Sequence, residues 1–252
     1  MIQLRKGVYL GMKKGKMIAL MVGAIIVVVA VITLIIVSIP APTVNYSAKS
    51  REDIVALADD VVIQNYDPDE LIPANSDNGQ TADRIMGDEN APITIFTYAD
   101  YACSACASWS EVLNEKLSGD WKGKVRVVYR EFLRVEQSVK PTAAAWAAAE
   151  QGYWQQYHDK LFEKQSEWAS LSGSAMQKQL EKYMTDISDG KVNMNKFRED
   201  MKSERVAKYA AFTYKMAQYL DLTGTPMFRM DGKQVEISNL IETVEQKIAT
   251  LK

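Results

Sequence analysis

Cysteine and histidine are nearly missing from this chain: 252 residues contain two of the first and one of the second. So few cysteines exclude a disulfide-stapled scaffold, and a structural zinc site ordinarily takes four ligands. Acidic residues are absent from positions 1–39, which hold Arg5, Lys6, Lys13, Lys14 and Lys16. Setting those five aside leaves 25 basic residues against 32 acids, so the rest of the chain carries about −7. An acidic body is a poor match for nucleic acid, whose binding rests on neutralising phosphate with Lys and Arg. No internal repeat and no low-complexity tract interrupts the sequence. With 25% charged and 47% hydrophobic residues, most of it reads as globular.

What is present first is an uncharged apolar run from Ile18 to Ile39. About 22 residues at about 1.5 Å each cross a hydrocarbon core of about 30 Å. A cleaved export signal is the competing reading, but its apolar part is shorter and ends in a small-residue cleavage site. Here the run leads into Pro40-Ala41-Pro42, with no such site. Residues 18–39 are therefore expected to form an uncleaved transmembrane anchor. Five basic residues ahead of it place 1–17 in the cytoplasm and the remainder outside it, in a single-pass arrangement. No Cys follows the run, which excludes a lipid-modified cysteine as the anchor.

Residues 40–82 read as a linker containing one short helix. Ser50 to Asp53, ahead of Ile54, Val55 and Leu57, has the form of a capped helix start. Asp67 to Gln80 is rich in turn formers and acids. From residue 92 the pattern changes: 92–98 is β-branched and aromatic, a buried strand that runs directly into Cys103 and a helix. A second strand follows at 124–129, then a long helical region over about 140–220. Met227 to Met230, the turn Asp231-Gly232 and Lys233 to Ile237 read as a hairpin. Ser238 is the expected cap of a last amphipathic helix. Strand, helix, strand implies a right-handed parallel crossover, and the hairpin adds antiparallel strands.

Both cysteines sit in one tetrapeptide, Cys103-Ser104-Ala105-Cys106. Zinc lacks partners, since His158 is remote in sequence. A structural disulfide closing so short a loop restrains the unfolded chain little. Two unrelated buried thiols at this spacing would be an accident. A redox pair accounts for the spacing and for its position between a strand and a helix. A thiolate at a helix N-terminus faces unpaired N–H groups and the positive end of the helix dipole, which lower its pKa. The exposed sulfur, Cys103, is the expected nucleophile and Cys106 the resolving partner.

The residues Gly87 to Ile95, then Tyr98 to Cys106, together resemble the entry strand and active site of DsbA-like thiol:disulfide oxidoreductases. Val127 to Phe132 is similar to the family's second strand. Ala147 to Trp154, with Tyr157 to Phe162, resembles its helical insert. Thr223 to Phe228, with Asp231 to Lys233, resembles its cis-proline loop and hairpin. The resemblance implies an α/β thioredoxin-like fold over 83–252, with a helical insertion at about 138–205, preceded by the transmembrane helix. It implies that Pro226 is cis beside the cysteines and that Thr225 offers its backbone to an extended substrate. Ser104, Ala105 and Tyr101 would tune the site. Ser104-Ala105 lacks the histidine that strongly oxidising members carry, which points to an intermediate potential. Thr97 replaces the acid many relatives place near the end of the entry strand, leaving Asp100 as the nearest one.

The resulting expectation is an extracytoplasmic oxidase that passes disulfides to exported proteins with free cysteines. It would need no cofactor beyond Cys103–Cys106 and no metal, and would be reoxidised by a DsbB-like or VKOR-like membrane protein. A reductase or isomerase, and a non-catalytic membrane-tethered binding module, are the alternatives. His158, Trp109, Trp146 and Trp154 read as packing residues, and Arg130-Glu131 as a surface or local ion pair.

Overall fold

The computed structural model describes residues 50–251, so the expected anchor at 18–39 and the basic segment 1–17 lie outside the described residues. No helix among the described residues is long and apolar enough to cross a membrane.

The folded body begins with α1 (Arg51–Asp59), closed by a reciprocal cap: the Asp53 amide donates to Ser50 Oγ and the Ser50 amide to the Asp53 carboxylate. Then come β1 (Arg84–Gly87), β2 (Ile93–Ala99), α2 (Ser104–Ser118) and β3 (Val125–Glu131). The helical region follows as α3 (Val139–Ala149), α4 (Trp154–Glu163), α5 (Gln165–Trp168), α6 (Gly173–Ile187), α7 (Met194–Asp200) and α8 (Glu204–Tyr219). The hairpin β4 (Met227–Met230) and β5 (Lys233–Val235) and helix α9 (Leu240–Ile248) close the chain.

The sheet runs β1-β3-β2-β4-β5, with β2 and β3 parallel and every other pairing antiparallel. Alternation along the strands divides two cores. Ile93, Ile95, Ala99, Val127 and Tyr129 face a core shared with α2, α9 and the inserted helices. Tyr98 faces the other, formed with α1 and much of α8. This is the thioredoxin-like α/β arrangement with a helical insert.

Four expectations change. Strand β1 escaped the sequence reading because four residues, one of them Gly87, are too few to show a period. Ser238 does not cap α9: a 3₁₀ turn at Ile237–Asn239 precedes the helix, and no side chain caps it. The described part of the supposed linker, 50–82, is built into the fold. Ile63 and Ile72 are buried, and the Asn78 side chain accepts from the amides of Asn75 and Thr81 and donates to the Pro73 carbonyl. Gly79 has φ +64°, and an added Cβ would collide with the Arg205 carbonyl oxygen.

The buried Arg130 pins this segment to β3. Its guanidinium donates to Asp83 at 2.7 and 3.0 Å, to the Pro68 carbonyl at 2.6 Å, to the Glu70 carbonyl at 2.8 Å and to the Tyr98 hydroxyl at 2.8 Å. Arg229 on β4 adds a two-pronged bond to Asp69. Arg130 and Glu131 are therefore neither a surface pair nor partners of each other. They are adjacent in a strand, so they point to opposite faces.

Candidate active site

Strand β2 ends at Ala99 and the chain turns sharply before α2. Asp100, itself buried, holds the turn. Its carbonyl accepts from the Cys103 amide at 3.0 Å, and its carboxylate accepts from the amides of Ala102 at 2.8 Å and Arg134 at 2.7 Å and from the Ser138 hydroxyl. On the outer side, the Gln165 amide group of α5 donates to the Tyr101 carbonyl at 2.6 Å and the Cys103 carbonyl at 3.0 Å. The turn is thus fixed from both sides before the helix begins.

Cys103 is the N-cap of α2, and its sulfur accepts from the Cys106 amide at 3.3 Å. The two cysteines are free thiols, Cys103 half-buried and Cys106 buried at 2% exposure. Across from them the Thr225–Pro226 peptide bond is cis. The Cys103 thiol donates to the Thr225 carbonyl at 3.3 Å. Thr225 Oγ1 is buried beside the pair, and its hydroxyl favours the anion of both sulfurs.

The electrostatics separate the two thiols. A hydrogen bond from the Cys106 thiol, then the Thr225 hydroxyl and the amides of Cys106 and Ala105, outweigh burial and bring Cys103 down to about 6. The same shared bond, with burial, pushes Cys106 well above the ordinary thiol range. One sulfur is exposed and ionised near neutrality while the other is buried and protonated.

The structure brings Cys103, Cys106, Thr225 and Pro226 together. Ser104 and Ala105 are exposed on the first turn of α2, where the Ala105 amide supports the Cys103 thiolate. Tyr101 is fully buried behind the active-site turn. Its hydroxyl meets His158 Nδ1 of α4 at 3.0 Å. Trp146 and Trp154 are buried, as packing residues should be, and Trp109 stands edge-on to Phe228 with centroids 5.2 Å apart. Behind Cys106 lies a small cavity of about 10 Å³, bordered by Thr97, Tyr129, His158 and Pro226 among others. Sequence reasoning missed Gln165 altogether. It also read Glu131, buried at the end of β3, as half of a surface or local ion pair with Arg130.

A family model described as "Thioredoxin" matches residues 80–249. Among curated relatives, "Na(+)/H(+) antiporter NhaA 3" of Salinispora tropica is 30% identical over 171 residues, covering 66% of this chain and 24% of its own length. "Disulfide bond formation protein D" of Bacillus subtilis is 22% identical over 180 residues, covering 65% of this chain and 76% of its own. The chain thus spans about a quarter of the antiporter it matches. Among solved structures, a thioredoxin-like oxidoreductase from Silicibacter pomeroyi superposes with a TM-score of 0.54 at 24% identity, covering 67% of this chain and 94% of the other. That likeness shows the fold.

Proposed function

The chain belongs to the thioredoxin family, in its DsbA-like form, and from that premise we propose that it is an extracytoplasmic thiol:disulfide oxidoreductase working as an oxidase on exported proteins. The observation that carries this reading is the asymmetry of the pair. Cys103 is half-exposed at a helix N-terminus and brought down to about 6, while Cys106 is sealed behind it.

The chemistry follows from that asymmetry. A substrate thiolate attacks Cys103 Sγ of the oxidised pair, and Cys106 departs with the electrons of the broken bond. A second substrate thiolate attacks the substrate's sulfur in the mixed disulfide, and Cys103 leaves as a thiolate. The substrate gains a disulfide and the pair becomes a dithiol. A stabilised Cys103 thiolate is a good leaving group, so release runs toward the substrate disulfide. The Thr225 backbone beside cis Pro226 suits an extended peptide laid across the sulfurs as an added strand.

The apolar run at 18–39 and the basic residues before it support anchoring in the membrane with the catalytic body outside the cytoplasm. Because the chain has no further cysteine, regenerating the disulfide falls to a separate quinone-linked membrane protein of the DsbB-like or VKOR-like kind.

The test is the equilibrium potential of the full chain in glutathione buffers. The expected value is intermediate, between about −120 mV, as for strong oxidants, and about −270 mV, as for thioredoxin. A value at or below the latter overturns the oxidase and leaves a reductase fed by electrons from across the membrane.

A further inference from the structure

Breaking the Cys103–Cys106 bond leaves a thiolate at Cys106, in surroundings that hold its thiol well above the ordinary range. A proton must therefore reach a sulfur that is 2% exposed. The groups that border it narrow the source. Thr97 lines the cavity behind Cys106 but does not ionise in this range. His158 borders the same cavity, and burial drives it down to about 3, so it is neutral and cannot store a proton near neutrality. Tyr101 and Tyr129 are raised well above their usual range by burial. The Asp100 carboxylate is committed to three hydrogen bonds, from Ala102 in the active-site turn and from Arg134 and Ser138 beyond β3.

Glu131 remains. It is 1% exposed on the sheet face that carries Tyr129, and its register partner on β2 is Ala99, another wall of the cavity. One of its carboxylate oxygens, Oε2, has no protein partner. Neither has the Tyr129 hydroxyl nor His158 Nε2, while the Tyr209 hydroxyl on α8 faces the Glu131 carboxylate and favours its anion. Buried polar atoms are seldom left so, and several in one neighbourhood indicate a bridged network. Tyr129 joins the two ends: it feels the charge of Glu131 and of Cys106, and its ring lies 4.5 Å from that of His158. The cavity of about 10 Å³ is close to the least that admits one water.

We propose that Glu131 is the proton reservoir for Cys106, exchanging its proton with the resolving sulfur through the Tyr129 hydroxyl and the cavity that Cys106, Tyr129 and His158 share. As substrate attacks, the Cys103–Cys106 bond breaks and a Cys103–substrate bond forms. An O–H bond of Glu131 then breaks as the S–H bond of Cys106 forms, and the carboxylate later regains its proton from solvent. In the reverse direction the carboxylate accepts the proton as Cys106 attacks. Glu131 acts through Tyr129 and touches no reacting atom, so it is a positioning residue.

Burial raises Glu131 to about 7 against the favourable Tyr209 and Arg84, with Asp83 adding to the rise. Its charge is also felt at Tyr101 and Tyr129. The donor form is thus present below about pH 7 and lost above it.

The proposal rests on the oxidoreductase reading, and one experiment separates the two. The oxidised full chain is opened with dithiothreitol across a pH series, in parallel with Glu131→Gln. The ratio of wild-type to variant rates cancels the reagent's own ionisation. Wild type should be faster by roughly tenfold or more at low pH, the ratio falling toward unity as pH rises through about 7. A ratio constant with pH overturns the assignment. Should Glu131→Gln fail to fold, Tyr129→Phe decides: it keeps the ring and the carboxyl, and must show the same fall. A wild-type disulfide that dithiothreitol does not open defeats the oxidoreductase reading itself.

Discussion

Cys103 owes its acidity to contacts that arrive from both ends of the sequence. The amides of Ala105 and Cys106 come with the helix, whereas Thr225 is brought in by the loop before β4. Thr225→Val removes a hydroxyl that favours the thiolate and keeps the shape. Half-alkylation of Cys103 should then move upward from about pH 6, and an unmoved midpoint would show that the amides and Cys106 suffice. The residues readable from sequence, Cys103, Cys106, Thr225 and Pro226, all lie in short local motifs. Gln165 could not be read, because its two acceptors are backbone carbonyls 62 and 64 positions away. Glu131 was misread for a related reason: beside an arginine in sequence it resembles half of an ion pair, and only strand alternation parts them.

Among elements, the segment between α1 and β1 departed furthest from expectation. Its turn-forming composition is real, since the chain loops tightly there, but composition does not reveal what the loop covers. That is decided by Arg130, whose bonds to Asp83, Pro68 and Glu70 make the segment a lid over one sheet face. Removing one partner of a buried pair strands the other charge. Arg130→Ala should cost about 3–5 kcal/mol in urea unfolding, while Arg130→Met with Asp83→Leu should cost much less. Equal losses would mean that the carbonyl contacts, not the ion pair, hold the lid. The insert was readable as helix because its apolar spacing and Ala-rich stretch are strong, although its breaks were not. The parallel β2–β3 pair and the hairpin were legible from apolar runs bounded by turn residues.

At the scale of the whole molecule, two buried groups titrate against each other. His158 at about 3 refuses a proton that the unfolded chain accepts near 6.5, so its share of stability is lost as pH falls through that window. Glu131 at about 7 keeps a proton the unfolded chain gives up near 4.5, so its share is lost as pH rises. Between about 4.5 and 6.5 the two slopes, each at most about 1.4 kcal/mol per pH unit, oppose one another. Relative to wild type, His158→Phe should gain stability as pH falls through that interval and Glu131→Gln should lose it. Urea midpoints at several pH values give the comparison, and parallel curves would sink it. The placement of the two sulfurs has a consequence beyond the reaction. Cys106 is buried while Cys103 is reachable, so the folded chain is monofunctional in the sense of polymer chemistry. Oxidative coupling between folded chains cannot grow past a pair, and Cys106 undoes that pair by closing the ring with Cys103. An unfolded chain presents both sulfurs and becomes bifunctional, able to extend a linear covalent chain, so the fold itself terminates that polymerisation.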